Sequence, residues 1–386
     1  MTSNLVDAAK SFVPTILANL EQIDSEAQLP PDLSAAMAKK SLFSMYVPKC
    51  LGGPESDPIT AFHVVEEISK ADGSAGWCAF NGSAVTSAIS RVSIETAKEI
   101  FGDPPIVKCS GSARPTGNAK VAPAGYLVSG RWNYLSGIDH SEHLFLNCNI
   151  LDDDGPVKNA DGSQVTRVAI VPVATGKVLD TWTTLGMRGT ASNDAEFSNV
   201  FIPDHHTFPR GAAPHHESPL YITETMIHMG WTLAAANALG MARGAMNAFV
   251  QLATASGSTQ SNTLLRDRST VQTTVGECEA VIDASRTYVL DAVGEMWDAQ
   301  VERSPSLTAK SVRSRLAITH AIRQSVEVVD RLFFAAGTNA IHESVGLERF
   351  FRDLHASGQH LSGGLANFEY GGQWLLGAEL TAPTST

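Results

Sequence analysis

Apolar side chains recur at helical spacing through the first part of the chain. Ile16, Leu20 and Ile23 are three or four residues apart, the spacing at which side chains share one face of a helix. Leu51-Gly52-Gly53-Pro54 interrupts this pattern, because glycine and proline break helices. The pattern therefore predicts an N-terminal helical domain over residues 1–105.

The pattern changes at about residue 106. Residues 126–134 alternate partly between apolar and polar side chains, and 144–151 and 168–173 are short apolar runs typical of strands. Asp152-Asp153-Asp154-Gly155-Pro156 is a turn signal between these runs. The sequence predicts a central β domain over residues 106–210, built as a barrel or a sandwich.

Helical periodicity returns after residue 210. Residues 234–245 are rich in small side chains, which lets a helix approach its neighbours closely, and 271–289 and 316–335 are long periodic segments. We predict a C-terminal helical bundle over residues 211–386. The fold class is then a multi-domain α+β protein in the order helical, β, helical.

Composition restricts the partners. The chain has 386 residues, of which 43% are hydrophobic and 18% charged, so it can bury a large core. Its net charge of −12 disfavours nucleic acid and anionic membrane surfaces, because both repel an acidic protein. No apolar stretch is long enough to span a bilayer, so no membrane partner is expected.

Cysteine and histidine usage gives two further expectations. The five cysteines include no Cys-x-x-Cys pair, which disfavours a disulfide framework and predicts a cytoplasmic protein. The first residues lack the basic start of a signal peptide. His205-His206 and His215-His216 lie in a linker with proline and glycine, and we predict no metal site there.

Several segments carry residue types that bind cofactors or transfer protons. Glycine and serine present backbone N–H and hydroxyl groups, arginine binds phosphate, and histidine exchanges protons near neutral pH. Each segment also has an ordinary interpretation: a hairpin entry, a turn at a strand end, an arginine paired with a carboxylate, a solvated helix start or a structural histidine. The segments are 108–117 (KCSGSARPTG), 130–137 (GRWNYLSG), 184–194 (TLGMRGTASND), 264–269 (LLRDRS), 335–339 (AAGTN) and 347–355 (LERFFRDLH), which is followed by His360.

The segment at 347–355 resembles the acyl-CoA dehydrogenase superfamily, where a Glu-Arg-x-x-Arg-Asp pattern precedes the catalytic region. In the medium-chain members, the carboxylate that removes the substrate α-proton lies nine residues after the second arginine. That position is Leu361 here, and leucine cannot accept a proton. Its neighbour His360 can both accept and donate one. The resemblance extends from about residue 10 to 375. It implies the acyl-CoA dehydrogenase-like scaffold, which ends in a four-helix bundle, with different chemistry.

Two segments more closely resemble the two-component flavin monooxygenases on the same fold. The segment at 130–137 resembles their Trp-x-Phe-x-Ser-Gly motif, and the segment at 184–194 resembles their Gly-Met-Arg-Gly-Thr-Gly-Ser-Asn-Asp motif. This resemblance implies two catalytic residues, Ser136 near flavin N5 and His360 facing the C4a/N5 edge. It also implies cofactor contacts within one subunit from Ser110, Ala113, Trp132, Ser136, Gly137 and Arg188. Contacts across a subunit interface are implied for Arg266, Arg268, Gly337 and Thr338. The expected substrate pocket is lined by Trp77, Phe80 and Asn81.

The function that this resemblance implies is the oxygenase component of a two-component flavin monooxygenase. A separate reductase would supply reduced flavin (FADH2 or FMNH2), and O2 would form a flavin C4a-hydroperoxide that hydroxylates or epoxidises a small aromatic or heteroaromatic substrate. A homotetramer, or a dimer, is implied as well. Many such enzymes carry a second histidine after the Gly-Trp motif, but here the next histidine after Trp77 is His140. This departure favours an indole-like substrate over a phenol.

Two other functions stay open. One is an acyl-CoA dehydrogenase whose carboxylate base lies on an earlier helix. That position falls near Gly230, and the nearest acid is Glu224. The other is a catalytically inert scaffold or binding protein that has kept the fold.

Overall fold

The N-terminal part is helical, as the apolar spacing predicts. The structure is a computed structural model that describes residues 2–103, 105–255, 257–258 and 261–381. Side chains of Asp57, Asp72 and Ser93 accept hydrogen bonds from backbone N–H groups in the first turns of the three helices that follow them. These caps begin each helix at a defined residue, because they satisfy N–H groups that have no partner inside the helix. The N-terminal helices are α1 (Thr2–Ala18), α2 (Leu20–Ser25), α3 (Pro31–Lys39), α4 (Pro58–Ser69), α5 (Gly73–Thr86) and α6 (Ile94–Phe101).

The central part is one mixed sheet of eight strands, numbered in chain order from β1 (Cys109–Ala122) to β8 (Thr207–Pro209). The strand order is β6-β7-β2-β1-β3-β5-β8, and β4 pairs with β3. The β1–β3 pair is parallel and the other pairs are antiparallel. The predicted β region is confirmed, as a single hydrogen-bonded sheet, and its turn signal at 152–156 lies where β3 meets β4. The strands are β1 (Cys109–Ala122), β2 (Gly125–Trp132), β3 (His143–Asp152), β4 (Gly155–Pro156), β5 (Thr166–Pro172), β6 (Lys177–Leu179), β7 (Asp194–Pro203) and β8 (Thr207–Pro209).

The C-terminal part is a bundle of long helices. Gly240 and Gly244 let α7 approach α4 closely: a Cβ at Gly240 would lie 2.5 Å from the carbonyl oxygen of Glu66, and one at Gly244 would lie 2.6 Å from that of Lys70. This is the close approach that the small residues of 234–245 predict. The elements are α7 (Met226–Ala255), β9 (Gly257–Ser258), β10 (Ser261–Leu264), α8 (Ser269–Val301), α9 (Leu307–Ala336), α10 (Leu347–Ser357) and α11 (Ala366–Leu375).

Most helices of both ends share one hydrophobic core, and the sheet has its own core around Trp132 and Phe197. A third core packs α6 against sheet residues such as Phe145. The order helical, β, helical is confirmed. The domain boundaries at 105/106 and 210/211 stay a prediction, and the strands of the large sheet lie between them. Within the described ranges, no helix combines the length and apolarity that crossing a membrane requires.

Candidate active site

Three aromatic rings form the centre of the candidate site. Trp77 and Phe80 are one turn apart on α5, and His360 follows α10. The ring centroids are 4.9 Å apart for Trp77–Phe80, 5.3 Å for Trp77–His360 and 6.0 Å for Phe80–His360, each pair edge-to-face. Two of the three predicted pocket residues therefore lie beside the predicted catalytic histidine, although they are far from it in the sequence.

The burial and hydrogen bonds of His360 favour a neutral ring with its proton on Nε2. Its Nδ1 lies 3.3 Å from the backbone N of Ser362, which can only donate, and 2.7 Å from the Ser362 hydroxyl. Burial lowers the pKa of His360 to about 4. The neutral ring then carries its proton on Nε2, and among the described residues no side chain or backbone group hydrogen-bonds that nitrogen.

Ser136 begins a row of hydroxyl groups next to these rings. The indole Nε1 of Trp77 donates to the Ser136 hydroxyl at 3.2 Å. That hydroxyl lies 2.8 Å from the Ser192 hydroxyl, which lies 2.7 Å from the Thr190 hydroxyl. Trp77 thus contacts both predicted catalytic residues, Ser136 by a hydrogen bond and His360 by its ring.

Two loops meet to position these hydroxyl groups. The backbone N–H of Gly137 donates to the Thr190 carbonyl at 2.7 Å, and the N–H of Leu135 donates to the Asn193 carbonyl at 3.3 Å. Met187 and Ala191 have φ values of 56° and 44°, in the left-handed region that residues other than glycine rarely adopt. Residues with such angles persist only where the surroundings hold them.

The surroundings of Met187 include a buried carboxylate. Asp353 Oδ1 on α10 accepts a hydrogen bond from the Met187 backbone N–H at 2.5 Å. Asp353 is almost fully buried beside Asp72, the N-cap of α5. Burial, followed by the Asp72 charge, raises the pKa of Asp353 to about 7, and burial also raises the pKa of Asp72. Arg349 lies 3.8 Å from Asp72 and offsets part of this charge.

Three of the predicted cofactor residues are buried inside the protein: Trp132, Gly137 and Ser110. Trp132 is fully buried in the core of the sheet and donates its indole N–H to the Asn147 carbonyl at 2.9 Å. Its side chain therefore has no surface for the cofactor contact that the sequence predicts. Ser110 is buried within β1, and the N–H of Gly137 is bonded to Thr190.

Ala113 is more accessible than these residues. It lies where the pairing of β1 with β3 is interrupted, between Ser112 and Gly117, and its side chain is exposed. Its carbonyl accepts from the Asn147 side chain at 3.0 Å. The carbonyl is therefore already bonded, and Ala113 stays a predicted cofactor contact.

The remaining predicted cofactor residues lie on the surface of this chain. Arg188 Nη1 is 3.9 Å from Asp24, and Arg266 is 3.7 Å from its neighbour Asp267. Arg268 is partly buried, and the predicted cross-subunit turn is exposed. The members of that turn are Gly337 and Thr338. Because the structure is of a single chain, the interface role of Gly337 and Thr338 stays a prediction.

Asn81 also stays a predicted pocket residue. It is partly buried, and its amide nitrogen lies 3.4 Å from the Trp77 carbonyl.

The positions expected for a dehydrogenase base carry no acid in the site. Leu361 has an exposed side chain, and Glu224 is exposed on the surface. A Cβ at Gly230 would lie 3.9 Å from the Phe80 ring, so this backbone does face the aromatic rings. In the described part of the chain, three carboxylate residues are buried and each is bonded elsewhere: Glu66 to Arg286, Asp72 to the start of α5, and Asp353 to Met187.

Sequence reasoning gave no role to Thr190, Ser192, Ser362 or Asp353. The first two lie inside the quoted 184–194 segment, and only the three-dimensional structure brings their hydroxyl groups to Ser136. Ser362 is only two residues after His360, and this short separation in the sequence could have indicated that its hydroxyl bonds the His360 ring.

A surface cluster outside this site joins His205 and His206 to Glu99 on α6. The Glu99 carboxylate lies 3.2 Å from Nε2 of His205 and 3.0 Å from Nε2 of His206. All three potential ligand atoms lie within 4.8 Å of one another. These three side chains could hold a metal ion, and the sequence prediction of no metal site in this linker stays a prediction.

Both helical ends of the chain match domains of one protein family. Residues 2–104 match the family described as acyl-CoA dehydrogenase, N-terminal domain, and residues 232–363 match acyl-CoA dehydrogenase, C-terminal domain. Together the two matches span more than half of the chain. The predicted fold is thus confirmed at both ends of the sequence.

Full-length relatives are similar along almost the whole chain. Indole-3-acetate monooxygenase from Pseudomonas putida is 27% identical over 362 residues, which cover 94% of this chain and 91% of that protein. A flavin-dependent monooxygenase, oxygenase subunit HsaA, from Rhodococcus jostii is 26% identical over 359 residues, with 91% and 92% covered. The structure of XiaF from Streptomyces sp., in complex with FADH2 and glycerol, has a TM-score of 0.89 and 26% identity, with 99% of this chain and 97% of that chain covered.

Proposed function

The chain belongs to the acyl-CoA dehydrogenase family, in its flavin-dependent monooxygenase branch, and from this we propose that it is the oxygenase component of a two-component flavin monooxygenase. Its substrate is a small aromatic or heteroaromatic molecule, which it hydroxylates or epoxidises. The observation that carries this proposal is the contact of Trp77 with both Ser136 and His360. A hydroxyl acceptor and a neutral imidazole thereby flank one aromatic wall.

The residues present fit a reduced flavin. The Ser136 oxygen keeps an unused lone pair, and Nε2–H of His360 has no partner within the described residues, so an acceptor and a donor are available for one polar heterocycle. When bound, reduced flavin supplies the electrons that activate O2. FADH2 and FMNH2 both present the ring that this pair would contact, and a separate reductase provides them.

Each residue has a defined task in this proposal. Ser136 holds the flavin ring at N5, and His360 holds a proton on Nε2 for the activated oxygen. Trp77, Phe80 and Asn81 form the wall against which an aromatic substrate packs. The largely apolar wall excludes water, which would otherwise release the activated oxygen as hydrogen peroxide.

An indole-like substrate suits this wall better than a phenol. A phenol needs a base to remove its proton, and the three aromatic residues include only His360, whose lowered pKa of about 4 makes it a weak base. An indole is electron-rich without losing a proton. One relative of this chain is named for indole-3-acetate, which agrees with this substrate class.

We also propose a homotetramer, in which neighbouring subunits complete the flavin site. Large apolar side chains are exposed on both sides of the Gly337–Thr338 turn and after α10, and water-exposed apolar surface of this extent favours association. Phe334 is 82% exposed and Ile341 is 65% exposed. The others near the C-terminus are Leu361, Leu365, Leu375 and Leu376.

Anaerobic mixing of the protein with chemically reduced FMN or FAD, followed by oxygenated buffer, tests the proposal. Product formed per reduced flavin consumed is measured with indole, indole-3-acetate and phenol. We expect coupled product formation, highest for the indoles. Acyl-CoA that removes the absorbance of bound oxidised flavin would instead indicate a dehydrogenase, and no reaction in either assay would indicate an inert scaffold.

The role of His360 has its own matched pair of variants. His360→Ala is expected to release more hydrogen peroxide and less product per flavin. His355→Ala is the control, because His355 bonds Asp330 at 2.8 Å and is not among the three central rings. Wild-type coupling in His360→Ala would contradict the role.

A further inference from the structure

Four hydrogen bonds in a row connect Trp77 to the carbonyl of Met187. They run from Trp77 Nε1 to the Ser136 hydroxyl, then to the hydroxyls of Ser192 and Thr190, and end at the Met187 carbonyl. The successive distances are 3.2, 2.8, 2.7 and 2.8 Å. Each contact is short enough to require a proton between its two heavy atoms.

The two ends of this row determine where every proton lies. A carbonyl can only accept, so Thr190 donates its single hydroxyl proton to Met187. Thr190 must then accept from Ser192, and Ser192 must accept from Ser136. At the other end an indole N–H can only donate, so Ser136 accepts from Trp77. All four bonds are satisfied by this one arrangement.

Burial protects the arrangement from solvent. Thr190 is 0% exposed, Ser192 is 3% exposed and Ser136 is 8% exposed. Burial therefore keeps water from Thr190 and Ser192, and reversing one hydroxyl would place two oxygen lone pairs face to face. Ser136 therefore donates its hydroxyl proton to Ser192 and accepts from Trp77 with one lone pair. Only its second lone pair is left to bind a ligand, so Ser136 can act towards the ligand only as an acceptor.

We propose that Thr190 and Ser192 are positioning residues that make Ser136 an obligate acceptor, so that the site selects a flavin with a proton on N5. Reduced flavin carries an N5–H donor, whereas N5 of oxidised flavin is itself an acceptor and would face the Ser136 lone pair. This inference rests on the proposed function, because it assumes that Ser136 contacts N5. It explains how an oxygenase that receives reduced flavin from a reductase rejects the oxidised flavin in solution.

Dissociation constants for both redox states of FMN and FAD test this inference without measuring turnover. Oxidised flavin is titrated in air by fluorescence quenching, and reduced flavin under anaerobic conditions by ultrafiltration. The quantity compared is the ratio of the oxidised to the reduced dissociation constant. One hydrogen bond gained in place of one repulsive contact corresponds to about a tenfold change in this ratio.

Three variants separate the direction of the proton from mere packing. Ser192→Ala frees the Ser136 proton to donate to oxidised N5, so the ratio should fall about tenfold. Thr190→Val removes the hydroxyl that accepts from Ser192. Ser192 can then donate to Ser136 instead, which frees the Ser136 proton for oxidised N5. This variant should therefore lower the ratio by a similar factor. Thr190→Ser keeps the hydroxyl and should restore the wild-type ratio. Ser129→Ala is the control, because Ser129 bonds the exposed Asn199 instead.

The outcomes distinguish this inference from the proposed function. If the wild-type protein binds reduced flavin more tightly and the ratio falls in Ser192→Ala and Thr190→Val but not in Thr190→Ser, the inference holds. An unchanged ratio in both altered variants overturns the inference and leaves the proposed function standing. A wild-type protein that binds neither redox state overturns both.

Discussion

Replacement of Asp353 by alanine tests whether the buried carboxylate holds the loop that carries Thr190 and Ser192. Asp353→Ala leaves the Met187 N–H without its acceptor in a buried position. An orphaned buried donor costs about 1–3 kcal/mol, and hydrogen bonds to charged groups are at the upper end of the range. Relief of the repulsion with Asp72 offsets part of this cost. We expect a net loss of about 2 kcal/mol in the free energy of unfolding.

Asp353→Asn is the matched variant. Its amide oxygen can still accept from Met187, and it removes the charge beside Asp72. The expected cost is therefore less than about 1 kcal/mol. Asp153→Asn, at an exposed turn position, should change the free energy of unfolding by less than about 0.5 kcal/mol.

The pH dependence of these variants has a defined sign. The pKa of Asp353 is raised in the folded protein to about 7, so the folded state keeps a proton that the unfolded chain releases. This group therefore destabilises the protein progressively as pH rises from about 4 to about 7. Asp353→Asn should remove that contribution, and the variant should gain stability relative to wild type as pH increases.

Urea unfolding followed by tryptophan fluorescence at pH 5, 6, 7 and 8 measures these free energies. Hydrogen exchange of the peptide that contains Met187 reports the loop directly, and Asp353→Ala should speed its exchange. Equal stability of the alanine and asparagine variants at every pH, together with unchanged exchange at Met187, would refute the reasoning.

Three further predictions concern the helical core and the histidine. Gly244→Ala brings a Cβ within 2.6 Å of a backbone carbonyl at the end of α4, so it should lower the free energy of unfolding by about 1–3 kcal/mol. Gly276→Ala meets open space on α8 and should raise the free energy of unfolding by about 0.5–1 kcal/mol. Urea unfolding measures both. Arg286→Ala leaves the buried Glu66 carboxylate without its charged partner and should cost about 3 kcal/mol above pH 5. Burial alone would raise the pKa of Glu66, but hydrogen bonds from His63 and Arg286 lower it to about 2, so this loss should shrink as pH falls from about 4.5 towards 2. In an NMR titration, the ring protons of His360 are assigned by their loss in His360→Gln. They should not shift between pH 6 and 9 and should titrate near pH 4. A midpoint near 6.5 would contradict the burial argument.

The elements were predictable wherever the signal was local. The spacing of Ile16, Leu20 and Ile23 needs only neighbouring residues, and α1 and α2 occur there. The turn at 152–156 was predictable for the same reason, since glycine and proline act on their own backbone. The sheet was less predictable, because hydrogen bonds between distant strands decide whether strands form a barrel, a sandwich or one mixed sheet.

The candidate site was predictable in part. The resemblance of two segments directed attention to Ser136 and His360, and the structure brings both to Trp77. The same segments suggested Trp132, whose side chain the structure buries in the sheet core. A strand sequence gives the alternation of faces, but which face meets the core and which meets a ligand depends on the elements packed against it.

By itself, the sequence determined the order of helical and β regions and the chemical types available at each motif. Those properties depend on local spacing, backbone preference and side-chain composition. Only the tertiary structure decided that His360 is neutral, that Asp353 supports Met187, and that the hydroxyls of Ser136, Ser192 and Thr190 form one row. Burial and hydrogen-bond partners control protonation and hydroxyl direction, and both are supplied by residues that are distant in the chain.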